Sequence, residues 1–204
     1  MTLSVRTTSA ALALSLAAVA CVRHSMTAAA PAAATTAGYD AQVTRGLEQL
    51  RAATKPFQSL DSAVVVGYAR DVPDCLVHEH HGAMGYHHIN SKFVDNRVDI
   101  AHPEILLYQR MPDGQYRLNG VEFIVPYRAW ARDSVAPVVM GQQLKHEDNL
   151  KIWYLHTWAW TKNSDGLFAD FNPDVTCPAN ASKVFTPFVK PGGLERTDSR
   201  SRET

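Results

Sequence analysis

The sequence has no excess of charge of either sign, since 20 Lys and Arg residues balance 20 Asp and Glu residues over 204 positions. Nucleic-acid-binding domains are typically basic, with their cationic side chains clustered on one face. We therefore expect no nucleic-acid partner. The chain also lacks a basic amphipathic helix of the kind that binds lipid headgroups directly.

Common enzyme motifs are missing as well. The sequence contains no G-x-S-x-G nucleophile elbow, no P-loop, no dinucleotide-binding glycine pattern and no H-E-x-x-H zinc motif. These absences exclude the most easily recognised hydrolases and nucleotide-dependent enzymes, and they leave open whether the protein is an enzyme at all.

Long hydrophobic runs are scarce, and the clearest one, residues 10–20, is too short to span a bilayer. Arg6 supplies a positive charge before it, and residues 18–20 (Ala-Val-Ala) form a small-x-small cleavage site. Residues 1–20 are therefore predicted to be a secretory signal peptide. Cys21 follows directly, as in a bacterial lipobox, so we expect a lipid-anchored protein of the cell envelope. Cleavage without lipidation, giving a soluble periplasmic or secreted protein, is the alternative.

Cysteine is rare, with three in the whole chain. If Cys21 carries lipid, Cys75 and Cys177 remain, and the oxidising compartment of an exported protein favours a disulfide between them. Such a bond closes a loop of about a hundred residues, for which the chain-entropy model gives roughly 4.7 kcal/mol. The alternative makes Cys75 a metal ligand beside the neighbouring histidines.

The composition divides the chain into four parts. After the signal peptide, residues 21–38 form an Ala-rich tether with too few bulky apolar side chains to fold. Residues 39–190 are predicted to form a single domain, and residues 191–204 a disordered tail. We expect the protein to be a monomer.

Hydrophobic periodicity predicts helices first and strands afterwards, a pattern typical of the α+β class. Helices are expected at residues 40–54 and 60–68, and strands at 104–111, 116–125 and 151–160. Pro112-Asp113-Gly114 is a tight-turn sequence and predicts a hairpin between the first two strands. The expected fold is therefore a pair of N-terminal helices packed on a small antiparallel sheet, with one disulfide.

Residues 75–90 (CLVHEHHGAMGYHHIN) contain five of the nine histidines. Two groups of histidines flank a glycine-bearing hinge, so the segment is predicted to fold back and direct imidazoles to one point. Neutral imidazole is the commonest metal ligand in proteins. The segment therefore suggests a bound ion, although a solvated polar run is the alternative for His78, His80 and His81.

Four strings, GAMGYHHIN, HPEILLYQ, GVEFIVP and LHTWAWTKNSDGLFADFNP, occur in this order along most of residues 59–177. In this the chain resembles a family of uncharacterised bacterial exported proteins and lipoproteins. The resemblance implies one domain behind a secretion signal, and it implies no particular activity. Within the pattern the matching histidines are His87 and His156, whereas His78, His80, His81 and His88 are local additions.

The leading metal-site hypothesis joins His87, Glu122 and His156, with His88 as the next candidate. Two imidazoles and one carboxylate suit zinc with an open position or a non-haem iron site, and Met84 adds copper as a possibility. One alternative is a hydrogen-bonded His–Glu pair in the core of a structural or interaction protein. Another is a metal-dependent oxygenase or hydrolase that uses the same three residues.

Aromatic side chains suggest a second hypothesis, a pocket for a small organic ligand or a haem-like ring. The candidate pocket residues are Tyr86, Tyr154, Trp158 and Trp160, with Phe168 beside them. Core packing is the alternative. Three aspartates that follow the last predicted strand, Asp165, Asp170 and Asp174, are expected to cap turns. The function predicted from the sequence is thus binding of a metal ion or small ligand by an exported domain.

Overall fold

A computed structural model of the protein describes residues 41–69 and 74–183. The predicted signal peptide, Cys21, the Ala-rich tether and the C-terminal tail lie outside the described residues, and the boundaries of the predicted domain stay a prediction. Of the helices in the two described ranges, none combines the length and the hydrophobicity needed to cross a membrane.

The two predicted helices are present. Helix α1 spans Ala41–Thr54 and is followed by a 3₁₀ turn at Lys55–Gln58. Helix α2 spans Leu60–Val66, and the Ser59 hydroxyl caps its start by accepting a hydrogen bond from the Ser62 amide. Gly67, with a φ of 115°, ends it in the left-handed conformation that glycine adopts without strain.

Short strands make up most of the remaining regular structure. In chain order they are β1 Leu76–His78, β2 Gly82–Ile89, β3 Ile105–Arg110, β4 Tyr116–Pro126, β5 Val138–Val139, β6 Gln142–Gln143, β7 Lys145–Glu147, β8 Ile152–Thr157 and β9 Ser182–Lys183. Seven of them form one sheet in the order β7-β8-β4-β3-β2-β1-β9, while β5 and β6 form a separate pair. The sheet is mixed because β9 runs parallel to β1 and the other neighbours are antiparallel.

The α+β class is confirmed, but the prediction of a small antiparallel sheet is wrong. The segment interpreted as a hinged histidine loop instead forms the β1–β2 hairpin and pairs with β3. Residues of β2 are buried on both faces of the sheet, so the alternation that marks a half-exposed strand is missing from its sequence. Strands β5, β6, β7 and β9 are too short to leave a periodic signal.

Packing of the helices also differs from the prediction, because the large sheet is not their only neighbour. The helix α1 residues Val43, Leu47 and Leu50 share a core with Leu106 and Phe123 of the sheet. The same core takes in further residues from the short β5–β6 sheet and its surroundings, namely Val139, Met140 and Leu144. The helices therefore close one face of the sheet together with the 139–144 segment.

The opposite face of the sheet has its own core and a different cover. Ile105, Leu107 and Ile124 pack there against Trp158 and Val175. These last two belong to residues 158–177, which follow β8, end at Cys177 and contain no regular helix or strand. Long irregular segments inside small domains are often functional. We refer to residues 158–177 as the covering segment.

The covering segment is tied down at several points. The backbones of Ala83 and Asn172 exchange two hydrogen bonds, of 3.1 and 3.0 Å. The disulfide between Cys75 and Cys177 then fixes the end of the segment beside β1, which confirms the predicted pairing. As a result the face of the sheet under the covering segment is closed.

Glu104, the residue before β3, is a buried acidic side chain that sequence patterns did not predict. Glu104 is 1% exposed, and its Oε2 accepts a hydrogen bond from the amide of Ile124 at 3.0 Å. The Glu104 carboxyl thereby adds one hydrogen bond to the backbone of β4, next to the start of β3. Burial raises the pKa of Glu104 from 4.5 to about 8, although hydrogen bonds from the backbone oppose the rise.

Glu104→Gln is expected to stabilise the protein more at about pH 8 than at about pH 5. The raised pKa means that the neutral carboxyl stabilises the fold fully below pH 4.5, and this contribution is lost as the pH rises towards 8. The loss proceeds at up to about 1.4 kcal/mol per pH unit, and neutral glutamine avoids it. Urea unfolding at both pH values measures the difference. An equal effect at the two values would show that Glu104 does not titrate in this way.

Candidate metal centre

Strand pairing places Glu122 and His156 side by side. They are directly opposite each other in the antiparallel β4–β8 ladder, and opposite residues point to the same face of a sheet. That face is the one beneath the covering segment, because Ile124, two residues after Glu122, belongs to its core. The two predicted ligands are therefore brought together by register.

His87 lies on β2, and its side chain reaches Glu122 and His156 across β3, which separates β2 from β4 in the sheet. It pairs with Leu107, which in turn pairs with Gly120 of β4. Gly120 has no side chain to occupy the space beside His87, and a Cβ atom there would lie 2.5 Å from the carbonyl oxygen of Thr157. The glycine thus allows the start of the covering segment to cross close over the sheet.

The three side chains converge on a single carboxylate oxygen. Glu122 Oε2 lies 3.4 Å from His87 Nε2 and 3.8 Å from His156 Nε2. One ligand atom from each residue lies within 4.8 Å of the others, so the group could hold a metal ion. No other group of three or more such donors meets this distance within residues 41–69 and 74–183. All three residues are buried, with exposures of 5%, 6% and 1% for His87, Glu122 and His156.

Burial disfavours charge on two members of the group, His87 and Glu122. Burial and, to a smaller extent, the charge of His156 lower the pKa of His87 to about 3, against the opposing effect of a backbone contact with Gly85. Burial likewise raises the pKa of Glu122, against the opposing charges of His156 and Lys145. At neutral pH His87 is consequently a neutral imidazole with a lone pair available for a ligand.

A second carboxylate stands behind His156. Asp170 Oδ1 is 3.6 Å from His156 Nδ1 and also forms an ion pair with Lys145 Nζ. The hydroxyl of Tyr154 donates a hydrogen bond to Asp170 Oδ2 at 3.4 Å. Burial would raise the pKa of Asp170, but the neighbouring His156 ring and the Lys145 ammonium hold it below its ordinary value.

This arrangement orients the His156 ring. A carboxylate on the Nδ1 side favours the proton at Nδ1, which leaves the lone pair of Nε2 directed towards Glu122. Metal-bound histidines in proteins almost always have such a partner on their other nitrogen. Among the described residues neither ring nitrogen of His156 has a partner within hydrogen-bond distance.

His88 does not join the group, although the sequence made it the next candidate. Successive residues of a strand point to opposite faces, so His88 lies on the helix side when His87 faces the covering segment. Its ring packs 5.0 Å from that of Tyr108 and 6.3 Å from that of Tyr116. His88 is therefore separated from Glu122 by the sheet itself.

Only part of the predicted aromatic pocket assembles. The rings of Tyr154 and Trp158 flank His156 at 5.8 and 6.4 Å, and Trp158 is nearly parallel to the imidazole. Tyr86 lies on the helix side against Tyr116, at 5.8 Å. Two further candidates also leave the set, since Trp160 donates to Thr54 Oγ1 and Phe168 belongs to the helix-side core.

A cavity of about 770 Å³ lies away from all of these candidates. It is lined by Gln49 of α1 and by nine residues between positions 92 and 104, Glu104 among them. The aromatic residues proposed from the sequence do not line it. Tyr154 and Trp158 instead pack against His156 of the His–Glu group.

Two residues of the site were missed at the sequence level. Asp170 was expected to cap a turn, and that prediction is wrong, because its carboxylate contacts His156 and Lys145. A signal for Asp170 exists in its neighbours, since Phe168, Ala169 and Phe171 are apolar and a charge among buried residues needs a partner. Lys145 lies in a region without any periodic pattern and carried no such signal.

Comparison of the chain with protein-family models, with curated proteins and with solved structures finds no match. The fold and the site define an α+β domain with a buried group of two imidazoles and one carboxylate. The resemblance to exported bacterial proteins stays a prediction, and the assignment of function depends on the geometry of this group.

Proposed function

We propose that the protein is an exported, lipid-anchored domain of the bacterial cell envelope that binds a divalent transition metal through His87, Glu122 and His156. The observation that carries this proposal is the convergence of three donors from three strands, with Asp170 placed behind one of them. From the sequence, zinc, iron and copper are all candidates, and we propose zinc because the donor distances support it.

Donor separations favour zinc. Metal–ligand distances of about 2.0–2.2 Å put the donors of a tetrahedral site about 3.3 Å apart, and neighbouring donors of an octahedral site about 3.0 Å apart. The separations from Glu122 Oε2, 3.4 Å to His87 and 3.8 Å to His156, are closer to the tetrahedral value. We therefore assign Zn²⁺ as the preferred ion. The rings of Tyr154 and Trp158 would pack beside the site.

Charge also supports a bound cation. In their ionised forms Glu122 and Asp170 supply two buried carboxylates, and Lys145 is the cation that faces them. A buried charge without compensation is costly, and a divalent ion at Glu122 supplies the missing positive charge. A metal-free His–Glu pair, the alternative, would explain why His87 Nε2 lies 3.4 Å from Glu122 Oε2. It would not explain why His156 Nε2 also faces that oxygen, at 3.8 Å.

Three protein donors leave one position of a tetrahedron for another ligand. That position lies beneath the covering segment, where Trp158 and Val175 pack on the sheet. We propose that it holds water or a molecule of similar size. A large organic ligand or a haem-like ring does not fit this proposal.

Asp170→Asn is expected to weaken zinc binding about 10- to 100-fold, the usual effect of losing a carboxylate that orients a metal-bound histidine. Asp174→Asn is the matched control, since Asp174 is exposed on the same segment and its amide bonds to Asn172. Competition with a chromophoric zinc chelator, using protein without a His tag, measures both affinities. Equal affinities in the two variants would remove Asp170 from the site, and a wild-type protein that binds no zinc would remove the site itself.

Lipid anchoring of Cys21 is the part of the proposal that concerns location. The disulfide of the folded domain fits an oxidising compartment, as expected of an exported protein. Cys21→Ser is expected to move the protein from the membrane fraction to the soluble fraction of the expressing bacteria. A variant that still sediments with membranes would contradict the anchor and leave the metal site unaffected.

A further inference from the structure

A second cluster of metal-ligating side chains lies on the surface, at the turn between β1 and β2. The turn carries His78, His80 and His81, and the ring centres of His78 and His81 are 4.6 Å apart. The ring of His80 is 6.2 Å from that of His78. Asp165 of the covering segment adds a carboxylate, whose Oδ2 is 3.5 Å from His81 Nδ1. Three imidazoles and one carboxylate from two parts of the chain thus lie near one exposed turn, although their donor atoms are not as close together as those of the buried group.

The position of Asp165 beside this turn is set by several contacts. Backbone hydrogen bonds between Ala83 and Asn172 hold the covering segment against the start of β2. The Asn163 side chain accepts a hydrogen bond from the Asp165 amide at 3.0 Å and donates one to the Phe171 carbonyl at 2.8 Å. The ring of Phe171 packs 5.0 Å from that of His78. The approach of Asp165 to the histidines is therefore built into the fold.

We propose that His78, His80, His81 and Asp165 form a surface site for a divalent copper ion. Copper(II) binds imidazole-rich sites more tightly than the other divalent first-row metals do, and it prefers four donors in a tetragonal arrangement. His78 Nδ1 accepts a hydrogen bond from the His80 amide at 3.1 Å, so Nε2 is the nitrogen that we assign to copper. The site is independent of the proposed zinc site.

Two features separate this site from the buried one. His81 lies in the turn before β2 and His87 lies six residues later within β2, so at most about 20 Å of chain separates them. The surface side chains are also partly exposed, at 31% for His81 and 29% for Asp165, and they must rotate to close around an ion. Ordering them opposes binding, so copper is held less tightly here than zinc is held by the buried, converged donors.

Copper titration of zinc-saturated protein without a His tag tests the proposal. Electron paramagnetic resonance of substoichiometric Cu²⁺ is expected to show coupling to imidazole nitrogens in the wild type. We expect His78→Ala/His81→Ala to weaken copper binding at least about tenfold, a loss of 1.4 kcal/mol or more, and to reduce this coupling, because His80 is then the one remaining imidazole of the site. The matched control is His102→Ala/His146→Ala, which removes two exposed histidines outside both sites.

Asp165→Asn provides a second variant that leaves the turn intact and removes only the carboxylate charge. It is expected to weaken copper binding while the nitrogen coupling persists. Unchanged copper binding in His78→Ala/His81→Ala, or equal losses in the control, would overturn the proposal. Loss of copper in His87→Ala alone would also overturn it, because the ion would then occupy the buried group. None of these outcomes depends on whether Asp170→Asn weakens zinc binding.

Discussion

His87→Ala is expected to abolish stoichiometric zinc binding, whereas His88→Ala is expected to leave it intact. The two histidines are neighbours on β2 and equally buried, at 5% exposure each, but they point to opposite faces of the sheet. Only the face of His87 contains Glu122 and His156. Loss of one of three donors leaves two, too few for a zinc site in proteins.

Thermal unfolding with and without zinc measures this difference. A ligand that binds only the folded state stabilises it by about 2.7 kcal/mol at a concentration one hundred times its dissociation constant. We expect this zinc-dependent rise in the wild type and in His88→Ala, and no rise in His87→Ala. Both variants lose a buried ring, so their stabilities without zinc should fall by similar amounts. A zinc response that survives in His87→Ala, or disappears in His88→Ala, would refute the assignment of ligands.

Removal of the disulfide is expected to lower the free energy of unfolding by about 2–5 kcal/mol. Cys75 and Cys177 are 102 residues apart, so the bond restricts a large loop of the unfolded chain. It also fixes the end of the covering segment, which supplies Asp170 to the site. Cys75→Ala/Cys177→Ala is therefore expected to lose zinc affinity in addition to stability.

Urea unfolding of this double variant provides the measurement, with reduced wild-type protein as its control. The two should unfold at similar midpoints, because both lack the bond and the double variant additionally removes only the weak contact between Cys177 Sγ and the Leu76 carbonyl. A loss below about 1 kcal/mol would mean that the covering segment is held by its other contacts alone. Unchanged zinc affinity would mean that Asp170 keeps its position without the disulfide.

Residues on well-defined strands were the easiest part of the site to predict. Glu122 and His156 lie on β4 and β8, whose apolar patterns indicate strands, and each could be assigned to a face. Their direct pairing could not be predicted, because the order of strands depends on contacts between distant parts of the chain. His87 was assigned to a segment that folds back at a glycine hinge rather than to a strand, since a strand buried on both faces has no alternating pattern.

Charged residues outside regular structure were the hardest part. Asp170 belongs to the irregular covering segment, and its partner Lys145 lies 25 positions earlier on a strand of three residues. Glu104 is buried because it completes the β3–β4 ladder, a role that depends on where β3 begins. Local sequence carries little information about such pairings, because each is determined by the tertiary fold.

X-ray absorption of the zinc-loaded protein, prepared without a His tag, tests the central claim most directly. The account predicts two imidazole nitrogens at about 2.0–2.1 Å and carboxylate oxygen at about 2.0–2.2 Å, with the outer-shell scattering of histidine rings and no sulfur at about 2.3 Å. In His156→Ala that two-imidazole signature should be lost. Zinc coordinated without histidine, with sulfur, or identically in His156→Ala would contradict the proposed site.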